Sequence, residues 1–339
     1  MAGDELYQME EVVRGVISFL KKDPHCLETV HVGVTAFAGK PRTLRVLTDL
    51  IDFTTPELPI GGGTALGSAL DHLMNQIDNE VVINTSDSRG DWQPLIFLIT
   101  DGAPTDNASA AIARWKYNYA SRANLVAISM GGAADSEILH QISQHVFVYL
   151  DTVPEAYTSL VQWISLSIQS HSKSVASGNE GRVELSKINQ DILSTSVESI
   201  SYRKPENEKY ISVIGRCENK KHPYLIKFRY DPIGITDLDL PPEIDCDYYL
   251  IAAIPLRDSY FELCNDQVPT GAVSLNRLLG QPSCPHCGAE TSMAVDNSCG
   301  NVHCLNGEGV HVCPWCNETG EYFEVNRRDG ELQAKKGLG

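Results

Sequence analysis

Six of the chain's ten cysteines fall between Cys284 and Cys316. Cys284-Pro285-His286-Cys287-Gly288 and Cys313-Pro314-Trp315-Cys316 repeat one pattern, two thiols with two residues between them. A tight turn of that length aims both thiolates, and its own amide hydrogens, at one cation. Zinc takes four such soft ligands in a tetrahedron, and two turns supply four. The spacing predicts a zinc site made of Cys284, Cys287, Cys313 and Cys316. Cys299, His303 and Cys304 lie between the two pairs and are candidate ligands of an additional zinc, or substitutes for one pair. A free buried thiol is the alternative for Cys299 and Cys304. His286 and His311 read as exposed rather than ligating. Crowding of this kind argues for metal over a disulfide framework and points to a reducing, cytoplasmic compartment.

A second chemistry is built on oxygen. Gly61-Gly62-Gly63-Thr64 breaks the chain before a helical stripe, and Asp101 follows an apolar run ending Ile99-Thr100. Ligands of open α/β sheets sit beyond the carboxyl ends of the strands. A hydroxyl and a carboxylate meeting there suit Mg2+, which takes oxygen ligands and keeps waters that a partner's carboxylate can replace. Each residue also has a plainer reading. Thr64 is a good N-cap, and Asp101-Gly102 is a good turn. The three glycines are no P-loop, because no Lys-Ser/Thr pair follows them.

The elements that must carry these residues alternate. Val12, Val13, Val16, Ile17 and Leu20 recur at helical spacing, ending near Asp23-Pro24. Val30 to Phe37 reads as a strand that pairs with Arg42 to Leu47 through Ala38-Gly39-Lys40-Pro41. Leu66, Leu70, Leu73, Met74 and Ile77 mark a helix. Leu95 to Thr100 is a short continuous apolar run, as a buried parallel strand requires. A helix over Ser109 to Arg122, a strand over Leu125 to Met130, a helix over Glu137 to Ser143 and a strand over Val146 to Leu150 follow. A last helix aligns Tyr157, Leu160, Val161, Ile164 and Ile168. The alternation predicts an α/β fold with a doubly wound, mostly parallel sheet over residues 1–170.

Residues 171–181 turn Ser-, Lys- and Gly-rich and read as a linker. Strands at Tyr210 to Arg216, Tyr224 to Tyr230 and Tyr248 to Pro255 predict a small antiparallel β region over 182–270. The loop Glu218 to Pro223 joins the first two. A zinc-ribbon-like module is expected over 271–325 and a disordered tail over 326–339. The formal net charge of −17 argues against nucleic acid or an anionic membrane as partner. No uninterrupted apolar stretch of about 18 residues predicts a membrane span. The acidic start, Met1 to Glu5, is unlike a secretory signal.

Gly62-Gly63-Thr64-Ala65-Leu66 and Ile99-Thr100-Asp101-Gly102-Ala103-Pro104-Thr105-Asp106, in this order, resemble the von Willebrand A (Rossmann-like) family. Its metal-ion-dependent adhesion site joins Asp-x-Ser-x-Ser at the end of the first strand to a Thr and an Asp from two later loops. The resemblance implies that Thr64 ligates the cation and that Asp101 holds it through water. The chain departs from the family at its start, where neither Asp-x-Ser-x-Ser nor the strand bearing it occurs. The departure implies that Met1 is internal to a longer protein. Otherwise the strands at Val30 and Leu95 pair directly or borrow a strand, and the cation site is defunct.

The tail, from Pro282-Ser283-Cys284 through Cys299-Gly300-Asn301-Val302-His303-Cys304 to Cys313-Pro314-Trp315-Cys316, resembles the C-terminal metal-binding domain of TerY-like proteins. Asp258-Ser259-Tyr260-Phe261-Glu262 matches loosely. Relatives carry one more Cys where this chain has Asn297, which weighs against a two-metal arrangement. TerY-like proteins are bacterial cytoplasmic proteins of tellurite resistance and chemical stress, associated with a protein kinase and a metal-dependent protein phosphatase. The resemblance implies a binding member of such a set, not an enzyme. A phospho-accepting Asp101 is the catalytic alternative, but it has no acidic pair near the first strand and no evident partner lysine. A nucleic-acid-binding zinc module lacks a clustered basic face, since Arg327, Arg328, Lys335 and Lys336 lie beyond the turns.

Overall fold

The computed structural model describes residues 4–82, 90–130, 136–149, 156–176, 185–187, 193–194, 210–230, 246–264, 271–322 and 332–337. These fall into two compact units, divided near residue 204, with the short segment Ile60–Gly63 grouped with the second.

The first unit is organised by its parallel strands. β1 (His31–Phe37) and β2 (Pro41–Asp49) form an antiparallel hairpin. β3 (Leu95–Thr100), β4 (Asn124–Met130) and β5 (His145–Tyr149) pair in parallel, and β6 (Leu193–Ser194) adds antiparallel to β5. Successive side chains of a strand point to opposite faces, and β4 serves both. Val126 and Ile128 pack with Val12, Val16 and Leu20 of helix α1 (Asp4–Leu20) and Leu160 and Trp163 of the Ala156–Ala176 helix. Leu125 and Ala127 pack with Leu70 and Met74 of the Leu66–Glu80 helix, Ile112 of the Ser109–Arg114 helix and Leu139 of the Ser136–Ile142 helix. Helices thus cover both faces, as the alternating pattern predicts.

Two details differ from expectation, and a third bears on an arrangement the sequence left open. The helix after Ser109 is α-helical only to Arg114 and then widens, Ala120 N–H reaching the Trp115 carbonyl at 2.9 Å across five residues. The last helix runs through the Ser-rich start of the expected linker to Ala176, and the Thr29 and Ser172 hydroxyls lie 2.9 Å apart there. Residues 177–181 of that stretch lie outside the described residues. Finally, β1 and β3 do not pair directly. β1 bonds to β2 and β3 to β4, and every apolar residue of β3 is half-buried where Val126, Ala127 and Ile128 are fully buried.

In the second unit the expected β region and zinc module are one structure. β7 (Tyr210–Arg216), β8 (Pro223–Tyr230) and β9 (Tyr248–Pro255) are antiparallel neighbours. β11 (Leu278–Leu279) adds to β9, and β13 (Val302–Leu305) adds in parallel to β7, followed by β12 (Thr291–Val295). The order is β11-β9-β8-β7-β13-β12, so the cysteine-rich segment completes the sheet begun at Tyr210. Tyr224 lies across Gly215, where any side chain would collide with its ring, and donates its hydroxyl to the Ser292 carbonyl at 2.6 Å. Two further antiparallel pairs occur among the described residues, the hairpin of β14 (Gly309–Val312) with β15 (Thr319–Tyr322) and the long-range pair of β10 (Ala272–Ser274) with β16 (Gln333–Lys335). Ala334, within the stretch expected to be disordered, is fully buried.

Candidate metal centres

Among the described residues of the second unit, one backbone turn occurs four times. In the turn at Cys284, its N–H donates to the Ala289 carbonyl at 2.8 Å, and Gly288 N–H donates back to the Cys284 carbonyl at 2.8 Å. The turn at Cys313 repeats this with Glu318 at 2.9 Å and Asn317 at 3.0 Å. A third starts at Cys217, with His222 and Lys221 both at 2.9 Å. The fourth starts at Asp296, with Asn301 at 3.0 Å and Gly300 at 2.7 Å. In each, the fifth residue is left-handed, with φ of 77° at Gly288, 61° at Asn317, 61° at Lys221 and 69° at Gly300. The geometry directs amide hydrogens onto the leading side chain. Cys217 Sγ accepts from Lys220 N–H at 3.3 Å and Cys313 Sγ from Trp315 N–H at 3.4 Å. Asp296 Oδ1 accepts from Ser298 and Cys299 N–H at 3.0 and 2.8 Å.

The sheet brings these turns together in pairs. β13 lies parallel to β7 with His303 opposite Arg216, so Cys304 comes beside Cys217. Cys217, Cys284, Cys287 and Cys304 form one group of donors, and Asp296, Cys299, Cys313 and Cys316 form another. Within each group all donor atoms lie within 4.8 Å of one another. A tetrahedron with Zn–S bonds of 2.3 Å has edges of about 3.8 Å. Cys287 and Cys304 sulfurs are 3.7 Å apart, those of Cys299 and Cys313 3.8 Å, and Cys316 Sγ lies 3.7 Å from Asp296 Oδ1. Both groups therefore fit a tetrahedral cation with little movement.

The grouping differs from the expected one. Cys284 and Cys287 do not share a centre with Cys313 and Cys316; each pair faces different partners. Cys299 and Cys304, the candidates for an additional zinc or for replacing one pair, are members of opposite groups. His303 is fully buried but belongs to neither group, its Nε2 lying 3.0 Å from the Tyr322 hydroxyl and its Nδ1 3.2 Å from the Cys304 carbonyl. His286 and His311 are half-buried, bonded to the Pro223 carbonyl at 2.7 Å and to Glu218 at 2.8 Å. Sequence reasoning missed Cys217 and Asp296. The signal was present in Asp296-Asn297-Ser298-Cys299-Gly300, which repeats Cys284 to Gly288 with a carboxylate leading.

Electrostatics divide the ligands. Burial pushes the Cys284 and Cys304 thiols up and raises Cys313 to about 12. A cation must displace protons to bind them. Burial opposes ionisation of Asp296 too, but the Tyr322 hydroxyl at 2.7 Å and the amides of Cys299 and Ser298 outweigh it and hold its carboxyl at about 2. The turn at Cys313 is braced from outside. Arg216 lies 4.3 Å over the Trp315 ring and donates to the Pro314 carbonyl, while Trp315 Nε1 donates to the Val302 carbonyl at 2.7 Å.

In the first unit, the loops bearing Thr64 and Asp101 are clasped together. Thr64 N–H donates to Thr105 Oγ1 and Thr105 N–H to the Thr64 carbonyl, both at 2.9 Å. Thr64 does not cap the Leu66–Glu80 helix. Asp106 does so from the other loop, accepting from Gly67 N–H at 3.0 Å and Ser68 N–H at 2.9 Å. Thr64 Oγ1 faces Gly102, where a side chain would begin only 3.0 Å away. Half-buried Asp101 follows β3 directly.

A family model of the von Willebrand factor type A domain matches residues 1–162, and one of the TerY-C metal binding domain matches 207–339. The chain carries both domains. All eight grouped donors lie in the TerY-C domain, whereas Thr64 and Asp101 lie in the von Willebrand A domain. Among solved structures, the chain is similar to proximal thread matrix protein 1 from the mussel byssus, with 18% identity over 48% of this chain and 42% of that one, at a TM-score of 0.35. It is also similar to a von Willebrand factor type A protein from Catenulispora acidiphila, with 15% identity, 48% and 38% coverage and a TM-score of 0.34. A form of the mussel protein with a zinc occupied MIDAS motif is similar too, at 18% identity, 47% and 40% coverage and a TM-score of 0.32. The chain spans about two fifths of the length of these solved proteins. No curated protein matches. Among the described residues no helix is long and apolar enough to cross a membrane.

Proposed function

We propose that this chain is a non-catalytic binding scaffold whose TerY-C domain is built on zinc and whose von Willebrand A domain engages a partner through Mg2+ at Thr64 and Asp101. The observation that carries the reading is the convergence of four like turns on two tetrahedral donor groups, a design for holding structure rather than for turnover. Closed four-ligand sites leave no position for a substrate, whereas an oxygen-liganded Mg2+ keeps waters that a carboxylate can replace. The resemblance to TerY-like proteins extends the reading to a bacterial, cytoplasmic stress pathway of the tellurite-resistance type. The partners would be a protein kinase and a metal-dependent protein phosphatase.

The test is calorimetric titration of purified kinase and phosphatase into the full chain, with and without Mg2+, repeated with D101A. The reading expects binding that needs Mg2+ and is lost in D101A at unchanged zinc content. Binding indifferent to Mg2+ and to D101A would instead favour a scaffold braced by zinc alone.

A further inference from the structure

Asp296 heads its turn in the position that a cysteine holds in the other three. Its carboxylate receives the two amide hydrogens that a leading thiolate would receive. Its second oxygen accepts from Tyr322, whose hydroxyl in turn lies 3.0 Å from His303 Nε2, so the side chain is fixed from both sides. The two donor groups are therefore chemically unequal, one of four thiolates and the other of three thiolates and a carboxylate.

Resting on the reading that both groups hold zinc, we propose that the Asp296 centre is the exchangeable one, a mixed Cys3Asp site that releases and regains its cation while the Cys217 centre stays closed. Two independent features point the same way. Zinc is borderline-soft and binds thiolate strongly, so one oxygen ligand in place of sulfur weakens the set. The carboxylate is weakened further, because beyond the two amides that a leading thiolate also receives, the Tyr322 hydroxyl draws on the Asp296 charge. Access differs as well. Cys217, Cys284 and Cys304 are no more than 2% exposed, leaving Cys287 as the single half-buried ligand of the first centre. At the second, both Cys299 and Cys316 are half-buried, so an incoming chelator can reach two ligands. Zinc exchange proceeds by stepwise ligand replacement, and the centre with an oxygen ligand and two reachable sulfurs yields first.

The experiment follows zinc release from the full zinc-loaded chain into the chromogenic chelator 4-(2-pyridylazo)resorcinol, with total zinc determined by atomic emission. The proposal expects two zinc ions per chain released in two phases of equal amplitude, at rates at least tenfold apart. D296C, which restores a fourth thiolate, is expected to slow the fast phase and leave the slow one unchanged. A single phase of two zinc ions, or a fast phase untouched in D296C, would overturn the proposal while leaving the zinc scaffold standing. A chain that binds no zinc would overturn both.

Discussion

The von Willebrand A domain and the TerY-C domain bury comparable kinds of strand by different means. In the first, Val126, Ala127 and Ile128 are sealed between helices on both faces of a parallel sheet, and Trp115, Leu20 and Leu70 fill the layers. Order there comes from apolar area removed from water, roughly 25 cal/mol per Å2. In the second, the sheet has no long helix against it among the described residues, and buried thiols stand where larger apolar side chains would otherwise pack. Cys217, Cys284 and Cys304 sit in the same cluster as Val213, Tyr224 and Phe228. Those thiols are small, and they accept long backbone N–H bonds, from Lys220 to Cys217 at 3.3 Å and from Glu218 to Cys304 at 3.2 Å. The difference teaches that one domain carries its stability in its sequence of apolar residues, while the other gives buried positions to two groups of potential metal donors.

Metal removal should separate the two domains most strongly. Structural zinc contributes on the order of 10 kcal/mol per site to folding of small metal domains. Stripping the full chain with a zinc-selective chelator is expected to abolish the TerY-C transition in calorimetry and leave the von Willebrand A transition in place. Loss of both transitions together would break the comparison. The converse change is W115A. Trp115 is 1% exposed and donates from Nε1 to the Ile142 carbonyl at 2.9 Å. Its truncation is expected to cost about 3–5 kcal/mol in the von Willebrand A transition alone, with zinc content unchanged. A smaller effect is expected at D106A, which removes the acceptor for two amides at the start of the Leu66–Glu80 helix. Denaturant unfolding should register a loss of about 1–2 kcal/mol, confined to the same domain.

What could be read from the sequence follows the same division. The parallel core was legible because Leu95 to Thr100 is a continuous apolar run in a chain of alternating strands and helices, and the stripes at Leu70, Met74 and Leu160 recur at the spacing a helix dictates. Local signals in the TerY-C domain were legible too, since Cys-x-x-Cys is complete within four residues. Which turns share a donor group was not, because that depends on non-local pairing. Cys217 and Cys304 are joined by the parallel register of β7 and β13, and no spacing along the chain encodes that register. Asp296 was overlooked for a related reason: its place in the second donor group is set by a backbone turn shared with Cys284, and thiol spacing carries no sign of a carboxylate. The Ser-rich stretch after His171 misled in the opposite direction. Its composition suits a linker, but Ser172 packs beside Thr29 and the helix continues through it.

The central claim is that Cys284-Cys287 and Cys313-Cys316 belong to different centres. Native mass spectrometry of the zinc-loaded full chain tests it directly, beside the double variants C284S/C287S and C313S/C316S. The account predicts two zinc ions in the parent chain and one in each double variant. One zinc in the parent and none in either variant would mean that the four cysteines share a single site, and would contradict the arrangement described above.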